Sequence, residues 1–289
     1  MSNPEKIALL TDSCADLTPA MCKGKGIYVV PLKLVCADGE YSDGVDITGA
    51  EVYRRLSAGE LPKTSLPDLD SVSRALGQIW KDGYRKVIAI HLSSGLSGTY
   101  NMVRLVGEES REMEIAVFDS LSGALAMGMS VLQLWEDIKG GMKWEELVRW
   151  RVPFLLRNTH GFFSVDTLEY LAKGGRIGKV TAMAGTMLAI KPIITFAEDG
   201  QLQSVAKVRG AKQVQDKLLE MAVKALNGRK KYNLAIVNGG APAEMKELQR
   251  KVKAALPGSR HFWEGEVDAT LSVYIGPGML GVAVQILEE

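Results

Sequence analysis

Histidine and cysteine are scarce in this chain, three of each in 289 residues. Cys14, Cys22 and Cys36 form no C-x-x-C pair, and an odd count argues against a disulfide framework, so free thiols in a reducing compartment are expected. His91, His160 and His261 stand too far apart to show metal-ligand spacing. A charge of one sign is also missing. Lys+Arg number 35 and Asp+Glu 34, a net charge of +1, without the basic excess that marks a nucleic-acid binder. No uncharged apolar run reaches the roughly 18 residues that would span a membrane. The best candidate, Val180 to Phe196, contains Lys191 and Pro192. Behind Met1, the residues Asn3, Glu5 and Lys6 interrupt any apolar targeting segment. These absences together predict a cytoplasmic protein with no transmembrane segment and no nucleic-acid partner.

Familiar catalytic motifs are missing too. No G-x-G-x-x-G follows a strand, which sets aside a nicotinamide or flavin site. Gly174-Gly175-Arg176-Ile177-Gly178-Lys179-Val180 is one residue short of a P-loop and has Val180 where a magnesium-binding hydroxyl belongs. Ser97 lies in no G-x-S-x-G elbow, because Thr99 takes the place of the last glycine. A triad of Ser94 or Ser97 with His91 or His160 is the hydrolase alternative, and phosphoryl transfer using Ser97 and Arg176 is the other enzymatic one. No paired carboxylates or histidine stand beside these residues as a general base, so a non-catalytic protein without cofactor or metal is expected.

What the chain does have is apolar bulk, 46% hydrophobic residues, and a regular alternation of short strands and helices in its first half. Lys6 to Thr11, Ile27 to Val35, Arg85 to Leu92 and Glu114 to Asp119 read as strands. Thr18-Pro19 opens one helix, Asp70 caps a helix bearing Val72, Ala75, Leu76, Ile79 and Trp80, and Gly83 closes it. Leu121 to Ile138 is a long apolar helix, and Trp144 to Leu156 another with Pro153 as a kink. This alternation predicts a mainly parallel sheet with helices on both faces, binding at the carboxyl ends of its strands. The second half differs. A strand (Phe162 to Val165), a short helix (Asp166 to Lys173) and a small-residue helix (Val180 to Ile190) precede a hairpin around Asp199-Gly200. Two further helices alternate with strands near Asn233, His261 and Val282. The expected division is therefore an α/β domain over residues 1–158 and an α+β domain over 159–289, with a ligand tunnel between them.

Three hydroxyl- or glycine-rich loops stand out. Ser93-Ser94-Gly95-Leu96-Ser97-Gly98-Thr99 joins a strand to a helix, where free backbone N–H groups and hydroxyls suit an anion. One helix cap needs one hydroxyl, and this loop has four. Lys63-Thr64-Ser65 is a second hydroxyl loop, and Lys173-Gly174-Gly175-Arg176 holds a glycine-hinged arginine. Together they suit one carboxylate or phosphate head group, held rather than transformed.

In order, Thr11-Asp12-Ser13-Cys14-Ala15-Asp16-Leu17, Lys63-Thr64-Ser65-x-Pro67, Ser-Gly-Leu-Ser-Gly-Thr-Tyr at 94–100, Asp119-Ser120, Leu168-Glu169-Tyr170-Leu171-x-Lys173-Gly174-Gly175-Arg176-Ile177, Lys191-Pro192-Ile193, Lys207-Val208-Arg209 and Gly276-Pro277-Gly278 resemble the DegV family over nearly the whole chain. The resemblance implies a bacterial two-domain fatty-acid-binding protein that catalyses nothing itself. Its ligand would be a long-chain acid such as palmitate, stearate or oleate. Some members present theirs to a separate fatty-acid kinase, whose acyl phosphate enters phospholipid synthesis. By the same resemblance Thr64 and Ser97 bind the carboxylate, Ser94 and Ser65 are their neighbours, and Arg176 lies near the head group. The tail would lie in an apolar tunnel, with Met183, Met187 and Leu188 helping to shape it. The chain departs from the family pattern where a histidine commonly precedes Gly-Pro-Gly. Here the residue is Tyr274, which donates a hydrogen bond but carries no positive charge. Leu66 and Asp68 stand where the family often has Gln and Ser, and Asp68 would repel a carboxylate placed beside it.

Overall fold

The computed structural model describes residues 3–183 and 190–288. Its strands in chain order are β1 (Ile7–Asp12), β2 (Ile27–Val30), β3 (Lys33–Cys36), β4 (Gly39–Ser42), β5 (Lys63–Ser65), β6 (Lys86–His91) and β7 (Glu114–Asp119), followed by β8 (Thr159–Ser164), β9 (Ile190–Phe196), β10 (Leu202–Arg209), β11 (Tyr232–Gly239), β12 (Phe262–Glu266) and β13 (Met279–Ile286). They form a four-stranded sheet in the order β2-β1-β6-β7, a six-stranded sheet β10-β9-β8-β13-β11-β12 and a small sheet β4-β3-β5. The first is parallel throughout. The second is mixed, with β12 parallel to β11 and the other pairs antiparallel. The protein is thus an α/β chain with one parallel and one mixed sheet.

Why β1 and β6 read as unbroken apolar runs is visible in the packing. Ile7, Leu9, Ile88 and Ile90 face one core with Met127 and Val131. Ala8, Leu10, Val87 and Ala89 face another with Val72, Ile79 and Val103, which belong to the helices Leu69–Lys81 and Thr99–Glu109. Strand side chains alternate between faces, and here both faces are covered. The helix Ala124–Lys139 lies between the sheets. Met127, Val131 and Leu134 pack on the parallel sheet, while Leu125, Ala126 and Met129 pack against Ala235, Val237 and Ala283 of the mixed one. A helix that is apolar nearly all round has to be covered all round. The far face of the mixed sheet is closed by Ala211–Leu226 and Pro242–Ala255 through Leu218, Leu248 and Val252.

Several expectations are corrected. The strand expected over Ile27 to Val35 is two strands. Pro31 has no N–H for a ladder, and the Leu32 N–H donates to Ser13 Oγ at 3.1 Å, so the chain leaves the parallel sheet and starts the small one. The helix expected to be capped by Asp70 is capped by Asp68, whose Oδ1 accepts from the Ser71 N–H at 2.6 Å, leaving Asp70 in the first turn. Around Pro153 the expected helix becomes a short helix, Trp144–Glu146, a π-helical turn, Leu147–Arg151, and a second helix, Val152–Arg157. The wide turn accommodates the missing proline N–H. Of the helix expected over Val180 to Ile190, Gly178–Met183 is 3-10 helix and Ile190 opens β9. The side chain of Met183, and Met187 and Leu188 altogether, lie outside the described residues.

Two helices were not anticipated, Gly49–Ser57 and Ala269–Ile275. They pack on each other closely enough that a Cβ on Gly49 would stand 2.7 Å from the Val267 carbonyl oxygen. The helix Ala269–Ile275 carries Tyr274 to the junction of the sheets.

Candidate functional site

A cavity of about 300 Å³ lies between the two sheets. Its wall is apolar, with Leu92, Leu125, Phe163, Phe196, Val237 and Leu271 prominent, and its floor runs over Gly161 and Gly281. Glycine inside a strand commonly marks close approach, and a Cβ at Gly161 would stand 3.1 Å from the Ala126 Cβ. Thr64, Ser65, Ser97, Arg176 and Tyr274 all line the same cavity. The structure therefore brings together five of the six residues singled out from sequence.

Each comes from a different part of the chain, except the neighbours Thr64 and Ser65, which end β5 where it pairs with β3. Thr64 Oγ1 is hydrogen-bonded to the Tyr274 hydroxyl. The Arg176 guanidinium sits 5.2 Å from the Tyr274 ring centroid, a cation–π distance. It also donates to the carbonyls of Gly174 at 2.9 Å and Leu96 at 3.4 Å. The double glycine before Arg176 has two separate causes. A Cβ on Gly174 would collide with Cδ1 and Cε1 of Tyr274, and Gly175 has φ +71°, in the left-handed region.

The four hydroxyls of the 93–99 loop have separate fates. Ser93 Oγ donates to the Gly200 carbonyl at 2.8 Å, docking the loop on the β9–β10 turn. Gly200 itself adopts φ +74°, as its hairpin position requires. Ser94 is exposed and outside the cavity lining, held there because its N–H donates to Asp119 Oδ1 at 3.1 Å. Thr99 is buried and shares a 2.9 Å hydrogen bond with Ser97. Only Ser97 faces the cavity, and its Oγ also accepts from the Thr99 N–H at 3.3 Å at the start of the helix Thr99–Glu109.

Asp68, whose repulsion of a carboxylate would require the two to be neighbours, does not line the cavity. Its capping bond to the Ser71 N–H, with Lys33 Nζ at 3.4 Å, holds its carboxyl below the usual carboxylate range. A His–Asp pair does exist: His91 Nδ1 is 3.0 Å from Asp12 Oδ2, with both side chains fully buried. The other ring nitrogen, Nε2, has no partner among the described residues, so no serine is held against this histidine as a nucleophile would be. His160 is a half-buried residue of β8, and burial pushes its pKa down.

Sequence reasoning missed the cavity wall and a second polar cluster, Asp16, Asp43 and Asp268, at the other end of the helix Ala269–Ile275. Burial pushes the Asp16 carboxyl up to about 7 and raises that of Asp268 as well. The signals that could have found the helix were Asp268 as its cap and Gly276 as its stop.

These features define an α/β protein with one parallel, one mixed and one small sheet and an internal apolar cavity lined at one side by hydroxyls and one guanidinium. The model of the DegV family, described as uncharacterised proteins, matches residues 6–286, and the chain belongs to that family. It is similar to a DegV domain-containing protein of Clostridium acetobutylicum, at 36% identity over 285 residues, 99% of this chain and 100% of the relative. Among solved structures it is similar to a fatty-acid-binding DegV family protein from Thermus thermophilus. There the TM-score is 0.91 at 29% identity, covering 98% of this chain and 100% of the other. A stearic-acid-binding protein from Eubacterium ventriosum matches with TM-score 0.87 at 26% identity, covering 97% of this chain and 98% of its own.

Proposed function

We propose that this chain binds one long-chain fatty acid, of the size of palmitate, stearate or oleate, and catalyses nothing itself. The observation that carries the reading is the apolar cavity whose mouth holds the hydroxyls of Thr64, Ser97 and Tyr274. The carboxylate accepts from Thr64 and Ser97, with Tyr274, Ser65 and Arg176 around it. Hydrogen bonds to a charged acceptor contribute about 1.5–3 kcal/mol each. Each buried CH₂ adds about 0.8 kcal/mol, so the tail supplies most of the affinity. The volume fits the lower end of the range for small-molecule sites, about 300–1,000 Å³. Binding requires the Thr64–Tyr274 hydrogen bond to reorganise, since both hydroxyls then turn toward the ligand. The proposal extends to a division between residues 1–158 and 159–289, a cytoplasmic location, and delivery of the bound acid to a separate fatty-acid kinase.

The test is mass spectrometry of the purified protein, native and after denaturing extraction, beside the double variant Thr64→Ala, Ser97→Ala. The expected result is one fatty acid per chain, lost from a double variant that keeps its circular dichroism. An empty wild-type protein, or a folded double variant with unchanged lipid, overturns the reading.

A further inference from the structure

Among the described residues, the polar side chains that line the cavity are Thr64, Ser65, Ser97, Arg176, Tyr274 and Thr270. The first five belong to the proposed head-group site. Thr270 does not. It is 2% exposed, and its hydroxyl oxygen has no hydrogen-bond partner among the described residues. A threonine in a helix can turn its hydroxyl back to the carbonyl three or four residues earlier. Thr270 is the second residue of the helix Ala269–Ile275, so those positions, Val267 and Glu266, precede the helix. The Val267 carbonyl accepts from the Ser272 hydroxyl instead, at 3.5 Å. The Thr270 N–H donates to Asp43 Oδ2 at 3.1 Å. The backbone at this position is therefore held, and the hydroxyl is left over.

Thr270 and Tyr274 are four residues apart, on one face of the helix and separated along its axis by about 6 Å. Thr270 thus stands one turn away from the head-group hydroxyls. The chain neighbours that line the cavity with it, Val267 and Leu271, are apolar. A buried hydroxyl without a partner is unfavourable, and valine has the same shape without it. A plain alkyl tail leaves the hydroxyl unpaired, whereas an oxygen carried on the tail can pair it, because a threonine hydroxyl both donates and accepts. Threonine has two common χ1 rotamers in a helix, and exchanging them swaps hydroxyl and methyl. The hydroxyl can therefore be presented to the cavity without backbone movement.

We propose that Thr270 is a specificity residue for an oxygen function on the acyl chain, so that the cavity takes long-chain acids hydroxylated a few carbons from the carboxyl group. This inference rests on the fatty-acid reading of the cavity. Tyr274 and its neighbours hold the carboxylate, and Thr270 reads the substituent one helical turn away.

The test is displacement of parinaric acid, a fluorescent fatty acid, from the delipidated full chain. The competitors are hexadecanoate and its 3-, 5-, 7- and 16-hydroxy derivatives. In the wild type, one of the 3-, 5- and 7-hydroxy acids is expected to bind at least as tightly as hexadecanoate. In Thr270→Val that same acid binds about tenfold or more weakly than hexadecanoate, and Thr270→Ser restores the wild-type ratio. The 16-hydroxy acid, whose oxygen lies at the far end of the tail, keeps one ratio in all three proteins. If Thr270→Val does not fold, Thr270→Ala carries the same comparison. Hexadecanoate binding with ratios that Thr270→Val leaves unchanged overturns this proposal alone. A shift of equal size for the 16-hydroxy acid also overturns it, since any added polarity would then be sensed. A wild-type protein that binds neither parinaric acid nor hexadecanoate overturns the fatty-acid reading, and this inference with it.

Discussion

The two ends of the helix Ala269–Ile275 are both polar, and they are polar in opposite ways. At the start, Asp43 and Asp268 accept the N–H groups of Ala269, Thr270 and Leu271, so most of the cluster's capacity is taken up by the fold. Near the end, Tyr274 and Thr64 are hydrogen-bonded to each other across an apolar cavity. The first arrangement holds the chain in shape. The second is what a ligand can reorganise without breaking the backbone. Polar residues saturated by main-chain donors are therefore read as structure, and those paired side chain to side chain at a cavity as site.

Five substitutions break or sharpen that contrast. The largest effect is expected from Asp43→Ala, which strands two N–H groups and the Ser13 hydroxyl and lowers stability by about 3 kcal/mol, measured by urea denaturation. Gly174→Ala comes next. The new methyl meets the Tyr274 ring, so lipid content falls and stability drops by about 2 kcal/mol. Tyr274→Phe removes one proposed head-group donor and weakens fatty-acid affinity about tenfold, while loss of the Thr64 hydrogen bond lowers stability by only about 0.5–1 kcal/mol. Its counterpart, Tyr274→His, makes affinity rise as pH falls through about 6.5, measured by titration with a fluorescent fatty acid. The smallest effect is Asp68→Ala, which loses a helix cap worth about 1 kcal/mol and leaves lipid content alone. Because the Asp68 carboxyl is held below its ordinary value, its contribution is present above about pH 4 and fades as pH falls through the folded-state value. The stability gap between wild type and Asp68→Ala should narrow in acid.

The parallel sheet was legible because its strands are buried on both faces and read as apolar runs, and the hairpin because Asp199-Gly200 is strong turn chemistry. The helix Ala269–Ile275 was not, because its seven residues are held by Asp43 from a distant loop, which no local pattern reports. The site was legible as a set of residues but not as a geometry. Four hydroxyls looked alike between positions 93 and 99, and docking on Gly200 decides that Ser93 faces inward to the hairpin while Ser97 faces the cavity. The choice between Asp68 and Asp70 as cap likewise depends on where the chain leaves Pro67, not on composition.

The position of β13 in the mixed sheet bears on how the protein is made. It is the last strand in chain order among the described residues, yet it lies between β8 and β11 and contributes Gly281, Val282 and Ala283 to the cavity. While a ribosome is still adding residues before 279, β8 and β11 each present an unpaired inner edge to solvent, and no enclosed cavity exists. Emergence of β13 closes the sheet and creates the apolar compartment in one event, so a partly synthesised chain lacks the cavity altogether.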